Sequence, residues 1–442
     1  MIETSIGRSL NSHRRSLSRA AGVCLVLALV GACSGSSSKT APDGGGTADT
    51  AAGAQGGPDA QGSLGNPDAA HSSSPTAFAA ALGAAHAGHF LVGMGNDGTD
   101  TGDDPAYAFG VTLDLHYQYL SQLSTDGGWV TWNSNPDYAA VRIQQCKSHG
   151  VIPMFAYYAM ADAGDGNLTG SVQNATYMTT YFKDFIQLLA DVKAAGSPVV
   201  ILHEPDFWGY NEQLAIANGG ADKVPAQVSV SGAPECGGLP DTIVGFAQCL
   251  LKLTRSRAPT ALLGFHASSW GSGNDIEANT DSSFDVAGEA AKTVAFFKAI
   301  GANQADFVST DMLDRDAGCY EVAGTNCATK RTGVYWDETN ATLPNFHQEL
   351  TWATAITKGL DLPMIWWQLP FGVPSTTPGG TPGHYRDNRV DYMFAHFSEY
   401  VAAGGVGAVW GTGDSGQTDW TTDNGEYQTA VTAYFKAPTT LP

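Results

Sequence analysis

From Phe90 onward, short apolar runs alternate along the chain with longer stretches of helical periodicity. Several of these longer stretches end in Gly directly before the next apolar run, as expected at a helix C-terminus. Strands followed by helices in this order predict an α/β fold, in the form of a single (β/α)8 TIM barrel. The eight predicted strands are residues 90–95, 110–117, 151–158, 198–204, 261–267, 305–311, 363–369 and 406–412.

A doubly wound open sheet is the alternative fold for such a pattern. That fold would place a Gly-rich phosphate-binding turn after the first strand. The sequence at 93–100, "GMGNDGTD", has glycines without the G-x-G-x-x-G spacing and without a helical pattern behind it. The barrel is therefore the favoured prediction.

The chain begins with a segment typical of export. Four Arg residues precede a short apolar stretch at 20–30, which is too short for a comfortable membrane span. The segment ends in "LVGAC", which resembles the lipobox of bacterial lipoproteins and implies Cys33 as the lipidated residue. An ordinary secretory signal is the alternative. We expect a signal peptide at 1–32, a disordered Gly/Ser/Ala/Pro tether at 33–75 and the barrel at 76–442.

The charge of the chain limits its partners. Without residues 1–32, which hold four Arg and one Glu, 18 Lys and Arg stand against 42 Asp and Glu, a net charge of −24. Such a surface repels phosphate backbones, so nucleic acid is not an expected partner. We expect a monomer outside the cytoplasm, on the outer membrane or cell surface, that touches membrane only through a lipid anchor.

Five cysteines follow the export segment. In an oxidising compartment, the short separations favour two local disulfides, Cys236–Cys249 and Cys319–Cys327. Cys146 is then a free thiol buried in a helix. Other pairings stay open from sequence, and no Cys-x-x-Cys pair indicates a zinc site.

Acidic and aromatic residues concentrate where the predicted strands end. In a barrel these ends meet at one face, which is where catalytic groups lie. Aromatic faces stack on sugar C–H groups and paired carboxylates cleave glycosidic bonds, so the composition suits a carbohydrate site. The strand-end set also includes Asn96, Asp97, His116, Tyr117, Asp314 and Asp316. The residues predicted to bind substrate are His203, Asp206, Trp208, Tyr158, His266, Trp270, Trp367, Gln368, Trp410 and Asp414.

Two adjacent pairs within this set follow a simple geometric rule. Neighbouring side chains of a strand point to opposite faces of the sheet. Of Trp366 and Trp367, only one can face the barrel axis, and the same holds for Tyr157 and Tyr158. The other member of each pair is expected to pack between the sheet and the helices.

The stretch "VILHEPDFWGY" at 200–210 is similar to the strand-4 motif of glycoside hydrolase family 26, and the layout resembles clan A glycoside hydrolases. The resemblance implies a secreted or surface-anchored hydrolase of oligo- or polysaccharides without a cofactor, with Glu204 as general acid/base. In strand 7, however, Gln368 stands where the family places its nucleophilic Glu. A second carboxylate then comes from elsewhere, with Asp311 best placed and Asp206 or Asp414 behind it, and retaining or inverting chemistry is left open.

Two other functions stay open at this point. Loss of the nucleophile at Gln368 is also compatible with a glycan-binding lipoprotein that has no activity. A metal-dependent hydrolase would use the strand-end His residues with Asp311 or Asp414, but strand 1 lacks the His-x-His that such barrels bring. We therefore expect no metal ligands.

Overall fold

The computed structural model describes residues 74–95, 107, 110–160, 168–327, 330–374 and 379–442. Eight parallel strands close into a barrel, in the order β1-β10-β7-β6-β5-β4-β3-β2, so the predicted (β/α)8 barrel is confirmed. Its strands are β1 Leu91–Gly95, β2 Leu115–Ser121, β3 Ile152–Tyr158, β4 Val199–His203, β5 Ala261–His266, β6 Phe307–Thr310, β7 Met364–Leu369 and β10 Gly405–Trp410. The connection between β7 and β10 contains a short hairpin of two antiparallel strands, β8 Gly380–Thr381 and β9 His384–Tyr385.

Helices surround the barrel and several end as the sequence predicts. Gly150, Gly196 and Gly301 each cap a helix C-terminus in the left-handed conformation that glycine adopts readily. The described α-helices are α1 Pro75–Ala81, α2 Tyr138–His149, α3 Leu168–Val172, α4 Ala175–Ala195, α5 Phe207–Asn218, α6 Ile243–Arg257, α7 Val286–Ile300, α8 Ala317–Val322, α9 Phe346–Leu360, α10 Arg389–Ala402 and α11 Glu426–Tyr434.

Strand β2 differs from its prediction. The strand begins at Leu115, five residues later than predicted, and runs to Ser121. Residues 110–114 are apolar enough to suggest a strand, but Asp114 instead accepts hydrogen bonds from His86, His89 and the Val92 amide. His116 and Tyr117 therefore lie near the start of β2, and Tyr119 lies near its carboxyl end.

The amino-terminal end of the barrel is filled by apolar side chains. The Phe78 ring of α1 lies 5.5 Å from the ring of Phe307, the first residue of β6. On the neighbouring strand, a Cβ atom at Gly264 would lie 2.4 Å from the Phe307 ring, so only glycine fits there. The polar strand-end residues are at the opposite end.

Both predicted disulfides are present, Cys236–Cys249 and Cys319–Cys327, and Cys146, which belongs to neither, is buried in α2. Among the described helices, none combines the length and apolar character needed to cross a bilayer. The expected lipidation site Cys33 and the expected tether lie outside the described residues, as do Asn96 and Asp97.

Candidate active site

Three aromatic rings line the axis at the carboxyl end of the barrel. The Tyr119 ring centroid lies 5.9 Å from that of Tyr158 and 5.6 Å from that of Trp367. His266 joins them, with its ring 5.8 Å from Trp367. These residues come from β2, β3, β7 and β5, so one side of the barrel mouth carries a continuous aromatic surface.

The two adjacent aromatic pairs alternate as predicted. Trp366 points outward, where its Nε1 donates to Glu349 Oε1 of α9 over 2.7 Å, and Trp367 points to the axis. Tyr157 likewise points outward, with its ring 5.2 Å from Phe185 of α4. Strand alternation therefore leaves Tyr158 and Trp367 available to the barrel mouth.

Two strand-end carboxylates share this space. Asp311 Oδ1 lies 3.1 Å from His266 Nε2, and the Tyr158 hydroxyl donates to Asp206 Oδ2 over 3.3 Å. Burial, followed by neighbouring groups that include both carboxylates, raises the pKa of Tyr119 well above its usual value. Asp206 and Asp311 therefore act electrostatically on the same ring from two different strands.

Gln368 is held firmly beside Tyr119. The Tyr119 hydroxyl donates to Gln368 Oε1 over 2.8 Å, and the backbone of Gln368 is left-handed, with φ of 56°. A Cβ atom at Gly413 would lie 2.7 Å from Gln368 Nε2, so the amide fits closely against that glycine. Because an amide cannot form a glycosyl ester, Gln368 can position a ligand but cannot act as a nucleophile.

Glu204 has surroundings unlike those expected of a group at the barrel mouth. Its side chain is fully buried, and Oε1 accepts hydrogen bonds from the Ala159 amide at 3.1 Å and the Tyr181 hydroxyl at 2.9 Å. The Met160 amide also donates to this carboxyl. Burial raises the pKa of Glu204 to about 8, despite these donors. The carboxyl is thus turned toward α4.

His203 and Trp208, both predicted to bind substrate, lie between the sheet and the helices. Both are fully buried, and Trp208 Nε1 donates to His203 Nδ1 over 3.2 Å. His203 Nε2 lies 2.7 Å from the Tyr181 hydroxyl, and burial lowers the pKa of His203 to about 3. The last side chain of β4, that of His203, points outward and meets Trp208 of α5, so both residues pack between the sheet and the helices.

Trp410, also predicted to bind substrate, lies among the helices. It is fully buried, and its ring lies 5.1 Å from Phe394 of α10 and 5.3 Å from Tyr427 of α11. The residue therefore packs on the outer side of β10 and not at the barrel mouth.

Trp270 and Asp414 lie in loops at the same end of the barrel. The Trp270 ring is 4.8 Å from Tyr210 of α5, and Asp414 Oδ2 lies 3.3 Å from an Arg315 guanidinium nitrogen. Asn326 also donates to Asp414 Oδ1, over 3.1 Å. Asp414 is therefore held in an ion pair with Arg315. This suits a residue that shapes the site better than one that reacts with the substrate.

Comparisons with known proteins reach only distant structures. No protein-family model and no curated protein sequence matches the chain. Among solved structures, it is similar to a Cellulomonas fimi endo-β-1,4-mannanase double mutant, with a TM-score of 0.45, 14% identity and coverage of 77% of this chain and 70% of that one. It is also similar to the catalytic domain of a GH26 endo-β-1,4-mannanase from a Bacillus species, with a TM-score of 0.44, 10% identity and coverage of 84% of this chain and 90% of that one.

A family 1 β-glucosidase from Thermotoga maritima gives a TM-score of 0.43 at 11% identity, with coverage of 78% of this chain and 97% of that one. Similarity this remote carries no argument about reaction or substrate.

Sequence reasoning missed Tyr119, Arg315 and Tyr320. The Tyr320 hydroxyl donates to Asp314 Oδ1 over 2.6 Å, and Arg315 pairs with the same carboxylate. Asp314 is a further group whose charge raises the pKa of Tyr119. Tyr119 could have been found from the alternation that continues beyond Tyr117. Arg315 lies in a loop and Tyr320 in the short helix α8, and neither carries a periodic signal.

The histidines of the metal-hydrolase alternative do not converge. His116 Nδ1 lies 3.2 Å from the Tyr107 hydroxyl and 3.8 Å from Cys146 Sγ of α2, outside the barrel. His203 also points outward, and only His266 of the three faces the axis. Within the described residues, no group of three His, Cys, Asp or Glu side chains is arranged to hold a metal ion.

Proposed function

We propose that this chain is a glycoside hydrolase that acts on an oligosaccharide or polysaccharide at the carboxyl end of its barrel. The observation that carries the proposal is the meeting of Asp206 and Asp311 with the rings of Tyr119, Tyr158 and Trp367. Aromatic rings suit the C–H faces of sugars, and glycosidic cleavage needs two carboxyl groups flanking the bond.

The proposed chemistry assigns the reacting carboxylates to the residues that follow β4 and β6. With an amide at position 368, a strand-7 nucleophile is excluded, so Asp206 and Asp311 are the carboxylates that face the sugar. His266 holds Asp311 in place, and Gln368 positions a hydroxyl of the substrate. The acid/base role of Glu204, which the family resemblance implies, stays a prediction, because its carboxyl contacts α4 and the backbone at 159–160.

A second function, glycan binding without cleavage, is favoured by one observation. Gln368 is an amide that accepts a hydrogen bond from Tyr119, and the family resemblance implies a nucleophilic Glu at this position. The aromatic surface would bind sugar in either case, so binding alone does not separate the two functions.

Activity against a panel of soluble polysaccharides separates them. The wild-type protein should release reducing ends from at least one substrate. Asp206→Asn and Asp311→Asn should each lose about 10²–10⁴-fold in rate while keeping affinity in gel retardation. Asp191→Asn is the matched control, because Asp191 is a buried carboxylate of α4 that hydrogen-bonds Gln187. Retardation by a glycan that the wild type does not cleave would support the binding function instead.

For location, we propose that Cys33 carries a lipid and that residues 34–75 hold the barrel away from the membrane. The support is the lipobox-like "LVGAC" and the Gly/Ser/Ala/Pro composition that follows it. A Cys33→Ser variant should leave the membrane fraction and appear in the soluble one. Unchanged membrane association of the variant would contradict the anchor.

A further inference from the structure

Tyr210 and Trp270 form a pair of half-buried aromatic rings that the proposed reaction does not use. Their ring centroids lie 4.8 Å apart, and the ring planes are inclined by 59°. Tyr210 belongs to the first turn of α5, which follows β4, and Trp270 lies in the connection that follows β5. Connections that leave the carboxyl ends of the strands line the functional face of a barrel. The pair therefore leaves ring surface open at the end of the barrel that carries the candidate active site.

Asp206 lies directly beside this pair. It precedes α5 as the N-cap residue, and its carbonyl accepts a hydrogen bond from the Tyr210 amide over 3.1 Å. One helical turn rises about 5.4 Å, so Tyr210 is close to a carboxylate that is proposed to react. In the sheet, β4 lies between β3 and β5. Asp206, which follows β4, therefore lies between Tyr158 at the end of β3 and Trp270 after β5.

Two glycines seat the Trp270 loop closely against α5. A Cβ atom at Gly209 would lie 2.8 Å from Cη2 of Trp270, so the indole approaches the helix where no side chain intervenes. A Cβ atom at Gly271 would lie 2.5 Å from Oε2 of Glu212, a buried residue of α5. Gln213 Nε2 also donates to the Trp270 carbonyl over 3.3 Å. The indole is therefore held in place before a ligand arrives, which lowers the entropy cost of binding.

The aromatic rings at this end of the barrel thus form two groups with Asp206 between them. One group is the aromatic surface of the barrel mouth, and its member Tyr158 donates to Asp206 Oδ2 over 3.3 Å. The other group is Tyr210 with Trp270. Aromatic faces suit the C–H faces of sugars. A site that takes only the end of a glycan needs sugar-binding rings on one side of the cleaved bond, whereas rings on both sides suit a chain that continues in both directions.

We propose that Trp270 and Tyr210 form a sugar-binding subsite beside Asp206, and that the substrate is the interior of a glycan chain. The inference rests on the proposed glycoside hydrolase function. One sugar unit of the chain stacks on the aromatic surface of the barrel mouth, and another unit of the same chain stacks on Trp270. Cleavage of a glycosidic bond between them joins the oxygen of one water to the anomeric carbon and leaves a proton on the departing oxygen. The products are two shorter chains, one of them with a new reducing end.

Trp270→Ala tests the subsite by comparing a long substrate with a short one. The probes are galactomannan, mixed-linkage β-glucan and xylan, together with the monosaccharide glycosyl fluoride of whichever sugar is released. Loss of one aromatic face should lower kcat/KM on the best polysaccharide by about tenfold. The glycosyl fluoride carries no second sugar unit to reach Trp270, so its rate should stay within about twofold of wild type. Gly209→Ala should reproduce the loss, because its methyl group displaces the indole, and Trp270→Phe should retain most of the activity.

The position of cleavage is read from the wild-type protein. Cleavage of interior bonds lowers the viscosity of a polysaccharide solution early, when few reducing ends have appeared. We expect this behaviour, with a mixture of oligosaccharides as the first products. Release of only one short sugar from the start, with viscosity almost unchanged, would show that the chain end is the substrate and would overturn the inference.

Trp132→Ala is the matched control. Trp132 is an indole with 41% exposure in the connection between β2 and α2, where its ring packs against Tyr138 at 4.9 Å. The variant should keep the activity of wild type on every substrate. The subsite is refuted if Trp270→Ala cleaves the polysaccharide as fast as wild type, or if it loses equally on polysaccharide and fluoride, which indicates a structural role. If wild type cleaves none of the substrates, the proposed function fails by itself. Gel retardation by the same polysaccharides then decides the subsite, since Trp270→Ala must bind more weakly than Trp132→Ala.

Discussion

The hydrogen bond between Tyr119 and Gln368 gives a quantitative test of the site's architecture. Tyr119→Phe removes one bond of 2.8 Å and leaves the Gln368 amide oxygen, on a side chain only 6% exposed, without its donor. A buried acceptor that loses its partner costs about 1–3 kcal/mol, so the free energy of unfolding should fall by that amount. The ring stays in place, so glycan affinity should change little.

A double-mutant cycle in guanidinium denaturation separates this bond from general damage. If the two side chains are coupled, Gln368→Met should cost less in the Tyr119→Phe background than in wild type, by about 0.5–3 kcal/mol. Tyr400→Phe is the control, because the Tyr400 hydroxyl is buried and has no partner among the described residues. Its removal should leave the unfolding free energy unchanged or slightly higher. Strict additivity of the Tyr119 and Gln368 substitutions would refute the contact.

Three further predictions concern pH and cross-links. The hydrogen bond to Asp114 raises the pKa of His89, so the pair stabilises the fold below the unfolded pKa, and this contribution is lost as pH rises through the folded pKa. The stability difference between wild type and His89→Gln should therefore be larger at about pH 6 than at about pH 9. Burial raises the pKa of Glu204 to about 8, so the free energy of unfolding of wild type should fall as the pH rises from the pKa of Glu204 in the unfolded chain to about 8. Glu204→Gln should remove this pH dependence when the free energy is measured by denaturation at several pH values. The Cys236–Cys249 disulfide closes a loop with a separation of 13 residues, so replacing both cysteines by Ser should cost about 3 kcal/mol in the same assay.

The barrel could be predicted because strand alternation and helix caps are local signals. Seven strands lie within about two residues of their predicted bounds, and the orientations of Trp367 and Tyr158 follow from the period of two. The error at β2 has a local cause as well. The apolar run precedes strand β2 and ends at Asp114. The hydrogen-bond partners of Asp114 lie within residues 86–92, and no sequence pattern links those residues to it.

The candidate site could be predicted only in part, because alternation fails at the end of β4. Glu204 and Asp206 both have left-handed backbones, with φ of 44° and 66°. Two such residues in a span of three reorient the side chains, so the sequence does not tell which acid faces the axis. Asp206 reaches Tyr158, whereas Glu204 turns to Tyr181.

Loop residues such as Glu277 show a second limit to what can be predicted from sequence. Glu277 lies in the loop between β5 and α7, where no periodicity marks it, and the side chains that hold this loop, Trp336 and Gln348, are far along the chain. Loop residues of this kind carry function in barrels but give no local sequence signal.

In the proposed function, Asp311 takes part in glycosidic cleavage at the barrel mouth. The most direct measurement is the rate of reducing-end release by Asp311→Asn and by wild type, on the best substrate of the panel, with glycan affinity measured in parallel. We expect Asp311→Asn to lose about 10²–10⁴-fold in rate and to retain its affinity. An Asp311→Asn protein that cleaves at the wild-type rate would contradict it.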